Sequence, residues 1–209
     1  MLTENIEPLE RDTLYDAPTQ ALLDEFCDSR HDVFTPCEFR IKWVTQDWEA
    51  REAHALRRAV FCVEQGIFLG DDRDAIDERA QLLVAMLCVA GIPDQVVGTV
   101  RIHREEEDGL PNLWYGSRLA VHAAFRNHGK LGATLIRLAV TSAHAQGCKT
   151  FRAHVQSQNV PLFRRLHWNV MHQETLLGRS HHAMQADLDH YPPCYDPVSG
   201  FVTQSRAAR

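Results

Sequence analysis

No apolar run in this chain of 209 residues approaches the ~20 that a helix needs to cross a bilayer, so neither a membrane-spanning helix nor a membrane partner is expected. The opening MLTENIEPLERD has neither a basic start nor an apolar stretch, and no secretory leader is expected. Cysteine is sparse and scattered: Cys27, Cys37, Cys62, Cys88, Cys148 and Cys194 form no C-x-x-C and no dense framework. That excludes a small disulfide scaffold and points to a reducing, cytoplasmic setting. There is no H-x-x-x-H either, and the adjacent His181 and His182 would point to opposite faces of a strand, so no metal is expected. Positive charge is also short, with 22 Lys and Arg against 28 Asp and Glu. Residues 1–36 hold nine acidic residues against Arg11 and Arg30, a net of −7, which leaves +1 of the total −6 on the other 173 residues. A near-neutral body offers no basic stripe for a phosphate backbone, so no nucleic-acid partner is expected. Repeats and low-complexity tracts are absent.

What is present is enough apolar material, 44% of the residues, for one sizeable core. The composition divides the chain into an acidic, partly disordered leader at 1–36, a body at 37–190 and a tail at 191–209. In the body, CEFRIKWV alternates as a strand does, and DWEAREAHALRRAVFCVEQG has helical spacing with acids at its start and Gly66 at its end. QLLVAMLCVA and VVGTVRIHR read as a hairpin, HREEEDGLPN as a charged loop, and NLWYGSRLAV as a fourth strand. A helix over 129–145, the strand TFRAHV, the short helix NVPLFRRLHW and a last strand pair, WNVMHQE and HHAMQADL, complete the order. The fold class is α+β: a mixed, mostly antiparallel sheet of six to seven strands flanked by helices, with one right-handed parallel crossover at 113–155.

The stretch RLAVHAAFRNHGKLGATLIRLAV places a glycine-containing loop between a strand end and a helix start. Unpaired N–H groups and the positive end of the helix dipole make such a start a pyrophosphate site, and Arg126, His128 and Lys130 add charge. An ordinary strand-to-helix turn would read the same way locally. V-H-x-x-F-R-x-x-G-x-x-G resembles the acetyl-CoA loop of the GNAT superfamily of N-acetyltransferases, and the resemblance extends in order over about residues 40–190. The front half, with R-x-x-V-F at Arg57 to Phe61, is similar to acyl-homoserine-lactone synthases. The whole chain resembles acetyltransferase-like proteins of bacterial nitrilase gene clusters associated with nitrogen starvation.

The resemblance implies an acyl-CoA-dependent N-acyltransferase that moves acetyl from acetyl-CoA to a small-molecule amine by direct attack in a ternary complex, in a fold that often forms a homodimer. It places Leu119, Ala120 and Val121 on the strand edge that pairs with pantetheine, and wraps the pyrophosphate with Arg126, Asn127, His128, Gly129, Lys130, Leu131, Gly132 and Ala133. The Val121 amide would hold the oxyanion. Two departures stand out: Leu131 occupies the usual last glycine position, and Phe163 sits where many members keep a tyrosine that protonates the leaving thiolate. A non-catalytic acyl-CoA-binding or assembly subunit is therefore an alternative, and lactone-synthase chemistry on S-adenosylmethionine a further one. Tyr115, His154 and Glu64 are the candidate catalytic residues, with the base unassigned among them, and Arg118 the candidate substrate-binding residue. His154 and Arg118 each have a structural alternative, a histidine hydrogen-bonded beneath a helix and an arginine paired with a helix carboxylate, and Asp74, Asp77 and Arg101 read as an ion-pair network.

Overall fold

The computed structural model describes residues 38–107, 109–127 and 130–204. The acidic leader, His128 and Gly129 lie outside the described residues. Strand β1 (Glu38–Trp43) buries Phe39 and Ile41 completely. Helix α1 (Asp47–Arg58) begins where the Glu49 carboxylate turns back to accept from the Thr45 and Gln46 amides at 2.8 and 3.2 Å, a capping arrangement that also suits the helix dipole. It continues as a π-helical segment, Ala59–Glu64, so the expected helix has the expected extent but winds more loosely in its last turns.

Strands β2 (Gln81–Val89) and β3 (Ile92–Glu107) form the expected hairpin, and β4 (Leu110–Val121) follows. Most of HREEEDGLPN is strand rather than loop: β3 runs to Glu107 and β4 begins at Leu110. Arg104 and Glu106 are exposed, and Arg79 reaches Glu105 at 2.8 Å. Helix α2 (Leu131–Ala145), β5 (Thr150–Gln156), helix α3 (Val160–Arg165), β6 (Trp168–Leu176), β7 (Arg179–Ala186) and β8 (Phe201–Gln204) complete the chain.

The strands form one mixed sheet in the order β6-β7-β5-β4-β3-β2-β1-β8. Every pairing is antiparallel except that of β4 with β5, the expected crossover. The eighth strand comes from the stretch read as a tail, where Phe201 pairs with Ile41 of β1. Helix α2 covers one face through Leu135, Leu138 and Ala139, while α1 and the π segment cover the other through Ala53, Leu56, Val60 and Phe61. Gly98 lets α2 lie close, because a Cβ there would sit 2.9 Å from Leu135 Cδ1.

Parallel pairing of β4 with β5 spans only Leu113–Tyr115 against Thr150–Arg152. Beyond it β5 pairs with β7 alone, and β4 with β3 alone. The cause lies in β4. Between the pairs Arg101↔Ser117 and Thr99↔Ala120, β4 carries two residues against one in β3, and Arg118 adopts φ +55. Such a bulge bends its strand and sharpens the twist, turning β4 away from β5.

Candidate active site

Where β4 and β5 part, a cavity of about 560 Å³ passes through the sheet. Phe61 and Phe68 line it from the α1 side, and Phe163 and Trp168 from the α2 side. Beyond the bulge the backbone alternates: the His122 amide bonds to Val97 of β3, so the amide and carbonyl of Val121 and the carbonyl of Leu119 face the opening, while Ala120 turns its polar groups to β3. This edge can accept an extended chain as an added strand. On the α2 side the cavity ends at an aromatic floor. Trp168 meets Phe163 at 5.0 Å and Phe151 at 5.8 Å, both edge to face, and all three rings are buried. Gly116 is needed beside this floor, since a Cβ would stand 3.0 Å from Phe151 Cε1.

Helix α2 opens at the end of β4 with Lys130 at its N-cap in a left-handed conformation, φ +52, and no capping side chain among the described residues. The amides of Leu131, Gly132 and Ala133 have no place in the intrahelical ladder, which starts with Thr134 N–H to Lys130 O at 3.0 Å. Leu131 itself is buried in the core, and a Cβ on Gly132 would touch only Val121, at 4.0 Å. Arg126 donates from Nε to Val121 O at 3.1 Å and pairs with Glu64 at 2.5 Å. A candidate base and a candidate phosphate ligand therefore bind one another, and the Arg126 hydrogen bond holds the Glu64 carboxyl below its ordinary range.

On the α1 face a row of rings crosses three strands. Tyr115 lies 6.0 Å from His103 and 5.7 Å from His154, with ring planes 19° and 4° apart. All three line the cavity. The Nδ1 of His154 is 2.5 Å from Glu174 Oε1 on β6. His103 is buried, and burial, reinforced by Arg79, lowers its pKa.

Behind this row lies a self-neutralising charge network of three arginines and three aspartates. Arg57, fully buried, bonds Asp72 at 2.9 Å and Asp77 at 2.6 Å. Arg101 bonds Asp74 at 2.6 Å and Asp77 at 2.8 Å, and Arg118 bonds Asp72 at 2.9 Å and Asp74 at 3.1 Å. The expected trio Asp74, Asp77 and Arg101 is thus half of a larger assembly. Arg118 keeps an edge on the cavity, its guanidinium 4.5 Å above the Phe68 ring.

A model of the acetyltransferase (GNAT) family matches residues 19–168, more than half of the chain. The chain belongs to the GNAT acetyltransferase family. It is 24% identical over 150 residues to a candidate acetyltransferase of Bacillus subtilis (strain 168), covering 71% of this chain and 96% of that protein. Among solved structures, a candidate N-acetyltransferase from Lactobacillus plantarum superposes with a TM-score of 0.61 at 23% identity, over 71% of this chain and 97% of the other. The CoA-dependent acyl-homoserine lactone synthase BjaI, solved with SAM and isopentyl-CoA, gives 0.57 at 17% identity, over 70% and 82%. These two likenesses show the fold alone, and they carry no link to nitrilase gene clusters.

As a GNAT protein the chain places Leu119 and Val121 on the opened edge and Leu131, Gly132 and Ala133 at the helix start beside it. It brings Tyr115 and His154 together, sets Glu64 apart with Arg126, and ties Arg118 into the charge network. Sequence reasoning missed Arg57, Asp72 and Glu174. Arg57 stands in the R-x-x-V-F motif, and its full burial requires carboxylate partners, which D-D-R-D at 71–74 could have supplied. Among the described residues no group of three or more His, Cys, Asp or Glu could hold a metal ion.

Proposed function

We propose that this GNAT protein is an N-acetyltransferase that passes acetyl from acetyl-CoA to a small amine by direct attack. The observation that carries this reading is the opening of β4 from β5 into a cavity that ends, on one face of the sheet, at His154 and Tyr115. Pantetheine would add to the edge at Leu119 and Val121, and the pyrophosphate would take the free amides of Leu131, Gly132 and Ala133. Lys130 is the N-cap of that helix, and the loop expectation adds Arg126, Asn127, His128 and Gly129. The Val121 amide would receive the oxyanion. His154 would take one proton from the bound ammonium, the amine so freed would attack and form the C–N bond as the C–S bond breaks, and the second proton lost by the nitrogen would pass to the departing thiolate, with Tyr115 supplying the hydrogen bond that Phe163 cannot give. Glu64, held ionised by Arg126, is a poor competitor for the base role.

The aromatic floor supports acetyl over longer acyl groups, because extra methylenes forced against rings already packed on one another cost about 1–3 kcal/mol. Thiol release measured with a panel of small amines should therefore be fastest with acetyl-CoA and about tenfold or more slower in kcat/KM with hexanoyl-CoA. Phe163→Leu should narrow that gap. Equal rates with both donors in the wild-type protein would refute the short-acyl assignment. One observation favours a second reading: Phe163, at the usual acid position, is packed against Trp168. Tight acetyl-CoA binding with no thiol release from any amine would select a non-catalytic CoA-binding subunit. The likeness to lactone synthases keeps S-adenosylmethionine in the acceptor panel.

A further inference from the structure

Trp168 and Glu174 occupy even positions of β6, and strict alternation would send both side chains to one face of the sheet. They lie on opposite faces. Against β7 the register of β6 steps from Val170↔Met184 to His172↔Ala183, so Met171 is an extra residue, a β-bulge. Before the bulge, Trp168 and Val170 pack into the core under α2 with Met184. After it, Glu174 faces His181, a cavity-lining residue on the face where β5 presents His154 opposite Ala183. The inserted residue is what carries a carboxylate from the α2 side of the sheet to the α1 side, 2.5 Å from His154 Nδ1.

We propose that Glu174 is the positioning residue of the transferase base, accepting the Nδ1–H of His154 and so leaving Nε2 as the lone-pair nitrogen that serves the acceptor amine. This deepens, and rests on, the reading of His154 as the base. Among the described residues no group hydrogen-bonds Nε2, and the parallel Tyr115 ring holds the imidazole from the neighbouring strand. When Nε2 takes the proton from the amine, Nδ1–H remains on the ring and the carboxylate stabilises the imidazolium that results, as the third member of any nucleophile–base–orienter set does. No bond to Glu174 is made or broken.

Two measurements test this on the full chain. Nitrogen-15 NMR of the neutral His154 ring should show the proton on Nδ1 in the wild type and a shift of the population toward Nε2–H in Glu174→Leu. Glu174→Gln, whose amide oxygen still accepts from Nδ1–H, should keep the wild-type tautomer. In thiol release, Glu174→Leu should lose about tenfold or more in kcat, part of the 10²–10⁴ that a positioned base contributes, with KM for acetyl-CoA unchanged. Glu174→Gln should lie between it and the wild type. An Nε2–H tautomer in the wild type, or an active enzyme whose kcat ignores Glu174→Leu, would overturn the role of Glu174 alone. A wild-type protein that acetylates no amine would overturn the parent reading of the site and this role with it.

Discussion

Replacing His154 with glutamine is expected to lower kcat for thiol release by about 10²–10⁴-fold while the affinity for acetyl-CoA stays within a factor of two or so of wild type. A small amine is mostly ammonium near neutral pH, and attack on a thioester needs its lone pair, so the proposed reaction calls for a group in the cavity to take a proton at each turnover. An imidazole matches that task near neutrality, and His154 lines the cavity beside Tyr115 on the face opposite the aromatic floor. Glutamine retains polarity and approximate size but has no basic nitrogen. The parallel change Glu64→Gln should cost less than about tenfold, since that carboxylate is already committed to Arg126. A His154→Gln enzyme that works at nearly the wild-type rate would move the base elsewhere in the cavity.

The second large effect concerns stability. Arg57→Leu should destabilise the protein by about 3–5 kcal/mol, because it leaves Asp72 and Asp77 buried without their principal cation. At about 2–4 °C per kcal/mol for a domain of this size, the melting temperature should fall by roughly 6–20 °C. The same network gives a pH dependence of known sign. Burial opposes ionisation of Asp77, but hydrogen bonds from Arg57, the Asp74 amide and Arg101 outweigh it and hold the carboxyl far below the usual range. The Arg101 hydrogen bond lowers Asp74 as well. A carboxyl with a depressed folded-state pKa stabilises the protein above its unfolded pKa, about 3.9, and loses that contribution as pH falls toward the folded value. Melting curves should therefore show the wild type losing stability steeply below about pH 4, and Asp77→Asn, less stable at neutral pH, losing less over the same interval. A wild-type curve parallel to that of Asp77→Asn would mean that Asp77 titrates normally.

Local pattern carried most of the fold. Alternation in EFRIKW marks β1, the acids at Asp47 and Glu49 mark the start of α1, and Gly147, at φ +85, marks the stop after α2. Two errors have physical causes. Glu105, Glu106 and Glu107 are strand residues because the β3–β4 hairpin extends its arms beyond the core, where charge is no obstacle to pairing. Phe201–Gln204 is too short to be called a strand without seeing the free edge of β1 that it covers.

The site was legible in parts. The loop motif located the helix start, but no period in one strand reveals that β4 and β5 part company, since the bulge at Arg118 and Leu119 exists only in register with β3. Glu174 was hidden for the same reason: the extra residue at Met171 inverts the face that alternation would assign. Arg57 and Asp72 are 15 residues apart and meet only when the segment after the π-helical turns folds back.

The central claim, that the gap between β4 and β5 is a donor site, is tested most directly by a crystal structure of the protein grown with acetyl-CoA. The expected result is pantetheine hydrogen-bonded to the backbone of Leu119 and Val121, the pyrophosphate on the amides of Leu131, Gly132 and Ala133, and the acetyl carbonyl turned toward His154 and Tyr115. An undisturbed gap with the nucleotide bound at another surface, or no nucleotide at saturating concentration, would contradict it.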